Sequence, residues 1–421
     1  MSIATPHPLM LLPFVAMLLC IALLPLILQH HWERYYHLIA IVLAAIPVTY
    51  YALVLRQPGR LIYEARDYLS FIALIGSLFV VTGGIHIGVR GRAGPIKNSL
   101  FLLGGGLLAN VIGTTGASVL LIRPWMRLNR GRYRALHTAF FIFIIGNVGG
   151  GLTPLGPPLL LGYLKGVPFW WPAAHCWKPW LIAMLSLLVI FYALEKLTCR
   201  NASDSPCEEA GDTAELTRFQ GRRNLWFLGI ILAAVFVDHP PFLREILMLL
   251  AAGASYYFTP KSLHRLNSFS LRPIEEVAWL FLGIFATMVP VIDYVQLHAH
   301  RFPISTPGQN FWVTGGLSSV LDNAPTYLTF FSTALGRAQL SIEDPVHIAR
   351  FLESDALTLV AISMGAVIFG ALTYIGNGPN FLVKSTVHQA RLSTPGFFGF
   401  LKYSIPVFAP VLWLVWFFTF R

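Results

Sequence analysis

Ten apolar runs dominate this sequence and leave little room for any fold outside a lipid bilayer. They lie at about residues 8–28, 36–55, 68–89, 137–161, 174–194, 224–240, 244–260, 274–293, 355–388 and 398–419. A helix needs roughly 20 apolar residues to cross a bilayer, and most of these runs approach that length. Only 12% of the residues are charged, against about 25% in a soluble domain. The runs therefore predict an all-α polytopic membrane protein with about ten transmembrane helices.

Two further apolar regions, 98–122 and 309–336, carry Gly, Asn, Asp and Pro at their centres. Neither arm of such a region is long enough to span the membrane by itself. Non-helical backbone at membrane depth is tolerated only where it is buried in protein or lines a wet cavity. We therefore predict two re-entrant helical hairpins, each of which enters and leaves on the same side.

The order of elements then repeats along the chain as three spans, a hairpin and two spans. Each half crosses the membrane five times, so the second half is expected to be inverted relative to the first. The predicted units are residues 1–195, a cytoplasmic linker at 196–223, and residues 224–421. The linker is polar and acidic between 198 and 220 and predicts a solvated, mobile tether. Inverted repeats with interrupted elements in matching positions are typical of secondary transporters.

The basic residues orient this arrangement. If the mouth of the first hairpin faces the cytoplasm, 20 of the 30 Lys and Arg residues lie in cytoplasmic segments, as the positive-inside rule requires. Both termini are then periplasmic, in the inner membrane of a bacterium. The formal net charge of +11 is explained by this asymmetry, so nucleic acid is not an expected partner. The expected partners are membrane lipid and a small ion or carboxylate substrate.

The candidate site residues are the polar side chains of the four interrupted elements. They are Asn110, Thr114, Thr115 and Ser118 at the first hairpin tip; Asp322, Asn323 and Thr326 at the second; Asn147 and Thr153 in the fourth span; and Thr373, Asn377 and Asn380 in the ninth. Each break exposes backbone carbonyls and N–H groups. Carbonyl, hydroxyl and amide oxygens suit Na⁺, and helix N-termini suit anions. The alternative for any one of these residues is helix capping or local hydrogen bonding.

Asp322 is the only acid within the two hairpin regions. An intramembrane acid is a functional-site hypothesis by default. A carboxylate at this depth can alternate between a cation-bound form and a protonated form, which is the chemistry that Na⁺/H⁺ exchange needs. Asp322 can also cap the helix that precedes Pro325, and both roles can hold at once. We expect Asp322, Asn323, Asn110 and Asn377 to contribute cation ligands.

These hairpins and breaks resemble those of the ion transporter superfamily, in particular its NhaD-type Na⁺/H⁺ antiporter and citrate-transporter branch. The resemblance rests on NVIGTTGAS and SVLDNAPTYL at the tips, and on GNVGGGLTPLGPPLLLGYLKGVPFW and LTYIGNGPNFLV at the breaks. It implies that the tips and breaks hold Na⁺ and substrate, and that the protein is a homodimer that works by an elevator movement. The chain departs from the branch where Asn110 replaces an acid and where Gly156 is followed by Pro157 with no intervening Asp.

Three functions follow as expectations. The first is Na⁺/H⁺ antiport with Asp322 as the exchanging carboxylate. The second is Na⁺-coupled uptake of citrate or a dicarboxylate, which ranks lower because no cationic counter-charge is evident within the spans. The third, an intramembrane enzyme, is disfavoured because the spans contain no Ser/His/Asp set, Cys/His pair or metal-spaced histidines. No cofactor is expected beyond transported Na⁺ and H⁺.

Overall fold

The computed structural model describes residues 5–89, 94–200, 216–237, 239–392 and 394–421. Over these ranges the protein is almost entirely helical, and seven helices are long and apolar enough to cross a membrane. The number becomes eight if a bent helix pair is counted as one span. The prediction of an all-α polytopic membrane protein is therefore confirmed.

Seven α-helices lie in the described ranges of the first half of the chain. Their bounds are α1 Leu12–Ile27, α2 Gln29–Thr49, α3 Pro58–Gly83, α4 Pro95–Leu128, α5 Ala135–Phe141, α6 Pro157–Lys165 and α7 Trp171–Arg200. Between α5 and α6 the backbone passes through a π-helical segment, Ile142–Asn147, and a 3-10 turn, Val148–Gly150. A short strand, β1 (His86–Val89), follows α3.

In the described part of the second half there are ten α-helices. Their bounds are α8 Arg223–Ala234, α9 Leu243–Phe258, α10 Lys261–Leu266, α11 Arg272–Leu297, α12 Pro307–Ser318, α13 Asn323–Arg337, α14 Pro345–Ser354, α15 Ala356–Phe369, α16 Gly378–Gln389 and α17 Phe397–Thr419. The short α14 bends by 99° into α15. Like the first half, this half ends with a hairpin, an interrupted helical stretch and a long final helix. The division into two inverted repeats at residues 196–223 stays a prediction.

The first hairpin is visible inside α4, which breaks at Gly113 with φ 73° and ψ 159°. A straight helix of this length would extend about 50 Å. Its two ends instead meet, because Asn98 Nδ2 donates to Asn129 Oδ1 at 2.8 Å. The rings of Phe101 and Trp125 also stack with centroids 5.3 Å apart. The predicted helical hairpin is confirmed, and its arms extend beyond the predicted 98–122; that it enters and leaves the membrane on one side stays a prediction.

The second hairpin is formed by α12 and α13, with its tip at residues 319–322. Its two ends are held together away from its tip, where Arg337 Nη1 donates to the carbonyl of Phe302 at 2.7 Å. Thr306 caps α12 by accepting from the Gln309 N–H at 3.2 Å. Asp322 caps α13. The predicted hairpin at 309–336 is confirmed as well.

The third span begins ten residues before the predicted position 68, and this difference is informative. Arg60, Glu64 and Asp67 lie inside α3 and are buried. Charged residues are costly in a membrane interior unless they are paired, and hydropathy alone therefore excludes them from a span. Here they pair with one another and with Lys165, Asp293 and Glu343. Hydropathy misplaced the start of α3 because it does not register such pairing.

The predicted tether between the halves is structured at both of its ends. The helix α7 continues to Arg200, and Leu216–Gln220 forms a second strand, β2. This strand pairs antiparallel with β1, so that Ile87 lies opposite Phe219. The mobile-tether prediction was therefore wrong for residues 216–220. Its central part, 201–215, lies outside the described residues.

The first hairpin packs through glycines against the first break, which is the interruption between α5 and α6. A Cβ added to Gly149 would lie 2.6 Å from the Cα of Gly106 and 2.6 Å from the carbonyl oxygen of Ile144. Both obstacles are backbone atoms, which side-chain rotation does not relieve. Overpacking of this kind costs about 1–3 kcal/mol or more.

We expect Gly149→Ala to lower the apparent Tm of the purified protein in detergent by several degrees. Gly104→Ala is the matched control, because nothing lies within 4 Å of an added Cβ at that position of the same hairpin. Alanine there also improves helix propensity by about 1 kcal/mol. Equal stability of the two variants would contradict the close contact between hairpin and break.

Candidate functional site

Each hairpin tip contacts the break of its own half and the two breaks contact each other, beside a cavity of about 510 Å³ that we call the central cavity. Residues from three of the predicted elements line it: Thr115, Asp322 and Asn377. The starts of α6 and α16 line it too, through Pro157, Gly378 and Pro379. The helices α1, α3 and α11 supply the opposite, mostly apolar wall.

Asp322 is 8% exposed and lies at the N-terminus of α13. Its Oδ1 accepts the N–H of Ala324 at 3.0 Å, while the Thr326 hydroxyl donates to its backbone carbonyl at 2.9 Å. Within the described part of the chain, no Lys or Arg forms an ion pair with it. Asp322 therefore caps a helix and also presents an uncompensated carboxylate to the cavity.

Three asparagines join the two breaks to each other. Asn147 Nδ2 donates to Asn380 Oδ1 at 2.7 Å, and Asn377 Nδ2 donates to Asn147 Oδ1 at 2.9 Å. Asn380 Nδ2 donates to the carbonyls of Gly370 and Thr373 at 2.8 and 2.9 Å. All three side chains are buried. This amide network fixes the crossing point of the two interrupted spans.

Each hairpin is also fastened to the break in its own half. In the first half, Asn110 Oδ1 accepts the N–H of Leu152 at 2.9 Å, and the Thr153 hydroxyl donates to the Asn110 carbonyl at 2.6 Å. In the second half, the Thr373 hydroxyl donates to the Ser319 carbonyl at 2.6 Å. Asn110, Thr153 and Thr373 thus have structural bonds of the kind that the capping alternative describes.

Three candidate residues have buried side-chain oxygens without a hydrogen-bond partner: Thr114 Oγ1, Ser118 Oγ and Asn323 Oδ1. Orphaned oxygens of this kind are uncommon in folded proteins and call for an explanation such as a bound ion. Ser118 Oγ lies close to the amide network, since a Cβ on Gly146 would be 3.9 Å from it and 3.3 Å from Asn380 Oδ1. Hydroxyl and amide oxygens are suitable ligands for a hard cation.

The N-termini of α6 and α16 have no side-chain cap. Both begin with proline in the first turn, which removes one N–H but leaves the partial positive charge of the helix end. Because Pro157, Gly378 and Pro379 line the cavity, these helix ends favour negative charge there.

Three cationic side chains also line the cavity: Arg123 on α4, Arg272 at the start of α11 and Lys384 on α16. Lys384 Nζ lies 4.4 Å from the centre of the Tyr374 ring, and Arg123 Nη1 donates to the Asn267 carbonyl. The expectation that no cationic counter-charge lies within the spans was therefore wrong. Their spacing was the missed signal, because Arg123 follows Thr115 by eight residues and Lys384 follows Asn377 by seven, two helical turns on the same face.

The structure thus brings the twelve candidate residues together around one centre, though in different roles. Asp322, Thr115 and Asn377 face the cavity. Asn147 and Asn380 belong to the amide network behind it, with Ser118 nearby. Asn110, Thr153 and Thr373 fasten hairpin to break, and Thr326 donates to the backbone beside Asp322.

Comparison with known proteins gives the context for this site. No curated protein matches the sequence. A protein-family model described as "Putative citrate transport" matches residues 4–420, nearly the whole chain. That family agrees with the resemblance to the ion transporter superfamily, and it indicates a secondary transporter with a multi-pass membrane fold. The chain belongs to this citrate-transport family.

Proposed function

We propose that the protein exchanges Na⁺ for H⁺ across the membrane, with Asp322 as the group that carries either ion. The observation that supports this proposal is the buried, uncompensated carboxylate of Asp322 beside the central cavity. A bare carboxylate in a poorly solvated site is unfavourable. Na⁺ and H⁺ both neutralise it, and they do so in competition.

The chemistry of exchange follows from this competition. One ion occupies Asp322 while the cavity faces one side, and the other replaces it after the site has become accessible to the opposite side. Asn323 Oδ1, which has no hydrogen-bond partner, adds a neutral oxygen next to the carboxylate. Coupling requires that the site does not switch its access from one side of the membrane to the other while Asp322 is unoccupied and negatively charged. The low polarity of the cavity wall makes this switch unfavourable for an unneutralised charge.

A second candidate function is Na⁺-coupled transport of citrate or a related carboxylate. Arg123, Lys384 and the uncapped N-termini of α6 and α16 favour it, since together they supply positive charge to the cavity. The family description supports the same substrate class. In this mechanism a cation at Asp322 neutralises the carboxylate, so that an anion can bind in the same cavity.

Two readouts on purified protein in liposomes distinguish the two functions: the internal pH, followed with an entrapped dye, and the solid-supported-membrane current. Exchange of one Na⁺ for one H⁺ at a single carboxylate moves no net charge, so we expect a Na⁺ jump alone to change the internal pH without a sustained transport current. A current or a pH change that requires citrate or a dicarboxylate together with Na⁺ would replace antiport by the carrier mechanism. Lys384→Gln is the informative companion variant, since it should weaken carboxylate-dependent transport and spare the pH change on Na⁺ alone.

The remaining assignments belong to the same proposal. The cell location is the bacterial inner membrane with both termini periplasmic, as the distribution of Lys and Arg supports. The partners are membrane lipid and a second copy in a homodimer, as the superfamily resemblance implies. The transporter family supports a protein that is not an enzyme.

A further inference from the structure

A second group of charged side chains lies away from Asp322, where α3, α6 and α11 meet. We call it the ionic cluster. Its members are Arg60, Glu64, Asp67, Lys165, Asp293 and Glu343. The two cations are nearly completely buried, with Arg60 7% and Lys165 3% exposed.

Arg60 binds three carboxylates. Its guanidinium nitrogens lie 3.0 Å from Glu64, 3.2 Å from Asp293 and 3.0 Å from Glu343. The hydroxyl of Tyr51 donates to the other oxygen of Asp293 at 2.7 Å. Buried charge pairs with several bonds of this kind are strongly disrupted by loss of one partner.

Lys165 binds three carboxylates as well. Its Nζ lies 3.2 Å from Glu64, 2.8 Å from Asp67 and 3.3 Å from Glu343. Glu64 and Glu343 thus contact both cations, and the six side chains form one connected network.

The ionic cluster and the central cavity lie towards opposite ends of the same two helices. On α3, Arg60, Glu64 and Asp67 belong to the cluster, whereas Ile75, Phe79 and Thr82 line the cavity. On α11, Asp293 belongs to the cluster, whereas Ile274, Val277 and Leu280 line the cavity. Each of these helices has 26 residues and is therefore about 39 Å long.

The cluster also joins two groups of helices. One group holds α3 and α11, which pack against each other and against α2 and α9, and which also contact the hairpins where α3 meets α4 and α11 meets α13. The other holds the interrupted spans and hairpins, to which Lys165 at the end of α6 and Glu343 after α13 belong. Its members pack closely, since a Cβ on Gly162 of α6 would be 2.3 Å from the Tyr327 hydroxyl of α13. Three pairs cross between the groups: Arg60–Glu343, Lys165–Glu64 and Lys165–Asp67.

A second cavity, of about 460 Å³, borders the cluster at Asp67. It is lined by Tyr63 and Arg66 of α3, Tyr163 of α6, and Arg244 and Glu245 of α9, and it shares no lining residue with the central cavity. In this conformation Asp322 is therefore reached from the cavity at one end of α3, while the ionic cluster separates it from the polar cavity at the other end.

We propose that the ionic cluster is the gate on that second side, and that its three crossing pairs must part when the site becomes accessible there. The partition of charges suits such a gate. After separation Arg60 keeps Glu64 and Asp293 within its own group, and Lys165 keeps Glu343 within the other. Neither cation is left buried without a partner, the most costly outcome for a buried pair. The proposal rests on the chain being a secondary transporter and not on which ion it carries.

The test measures access from each side with a reporter that needs no transported ion. Val119 lines the central cavity on α4. Val119→Cys is placed in a background in which the four native cysteines are replaced by alanine. Its modification rate by a membrane-impermeant thiol reagent is then measured in right-side-out and inside-out vesicles.

Asp67→Asn removes the charge from one crossing pair, Lys165–Asp67, while preserving side-chain shape. It weakens the closed gate, and each cation still keeps a partner within its own group when the gate opens. We expect it to slow labelling from the side of the central cavity and to speed labelling from the side of the cluster, by about fivefold or more. Glu64→Gln weakens a second crossing pair, Lys165–Glu64, and leaves Arg60 paired with Asp293 and Lys165 paired with Glu343. Tyr51→Phe is the matched control, because it removes a bond to Asp293 that does not cross between the groups.

Size-exclusion profiles establish that the variants are folded. Unchanged labelling from both sides in a folded Asp67→Asn or Glu64→Gln protein would overturn the gate, as would an equal shift in Tyr51→Phe. A failure of Na⁺ or citrate to generate current would not affect this outcome, so the gate and the proposed function fail separately.

Discussion

We expect Asp322→Asn to abolish Na⁺-driven proton exchange while leaving the protein folded. Asparagine keeps the oxygen that accepts the Ala324 N–H, so the cap of α13 is preserved. It has neither the negative charge that binds Na⁺ nor a site for the exchanged proton. Loss of a unit charge at contact distance in a partly buried site costs about 4 kcal/mol, or roughly a thousandfold in affinity.

The measurement is the pH change inside proteoliposomes after Na⁺ is added outside, followed with an entrapped pH-sensitive dye. The matched control is Asp344→Asn. Asp344 is also an N-cap aspartate, whose Oδ1 accepts the Val346 N–H at 2.9 Å at the start of α14, but it does not line the central cavity. A folded Asp322→Asn protein that exchanges at the wild-type rate would remove Asp322 from the mechanism.

The hairpins and breaks could be predicted from the sequence because their signals are local. Gly113, Pro157 and Pro379 interrupt helices through their own backbone chemistry, and their neighbours in the sequence supply the polar groups. Asp322 stood out for the same reason, as an acid inside an apolar segment. The structure adds that one residue fulfils both the capping and the cavity-lining role.

The ionic cluster could not be predicted in this way because its partners are distant in the sequence. Arg60 is paired with Asp293 and Glu343, more than two hundred residues away, and no periodic pattern announces those pairs. When these pairs are not known, the apolar pattern places the start of α3 after its charged residues. Arg123 and Lys384 did not stand out in the sequence for a related reason, since a cation at the end of an apolar run is usually solvated.

The amide network supports the prediction with the second largest effect, on stability. Asn380 forms three buried bonds, two as donor to the carbonyls of Gly370 and Thr373 and one as acceptor from Asn147. Leucine at this position has a similar volume and none of these bonds. It leaves two carbonyls and one amide unpaired, and each unsatisfied buried group costs about 1–3 kcal/mol.

We therefore expect Asn380→Leu to destabilise the protein by about 3 kcal/mol or more, and to abolish transport because both interrupted spans lose their common anchor. Thermal unfolding in detergent measures the stability and proteoliposome flux measures the transport. Asn310→Leu is the matched control: Asn310 is also buried but donates a single bond, to the Thr306 carbonyl at 3.0 Å, at the far end of α12. If the two variants were equally stable and equally active, the crossing of the spans would not depend on the asparagines. A loss at Asn380 alone would identify the amide network as the element that holds the two breaks, and with them the cavity beside Asp322, in one arrangement.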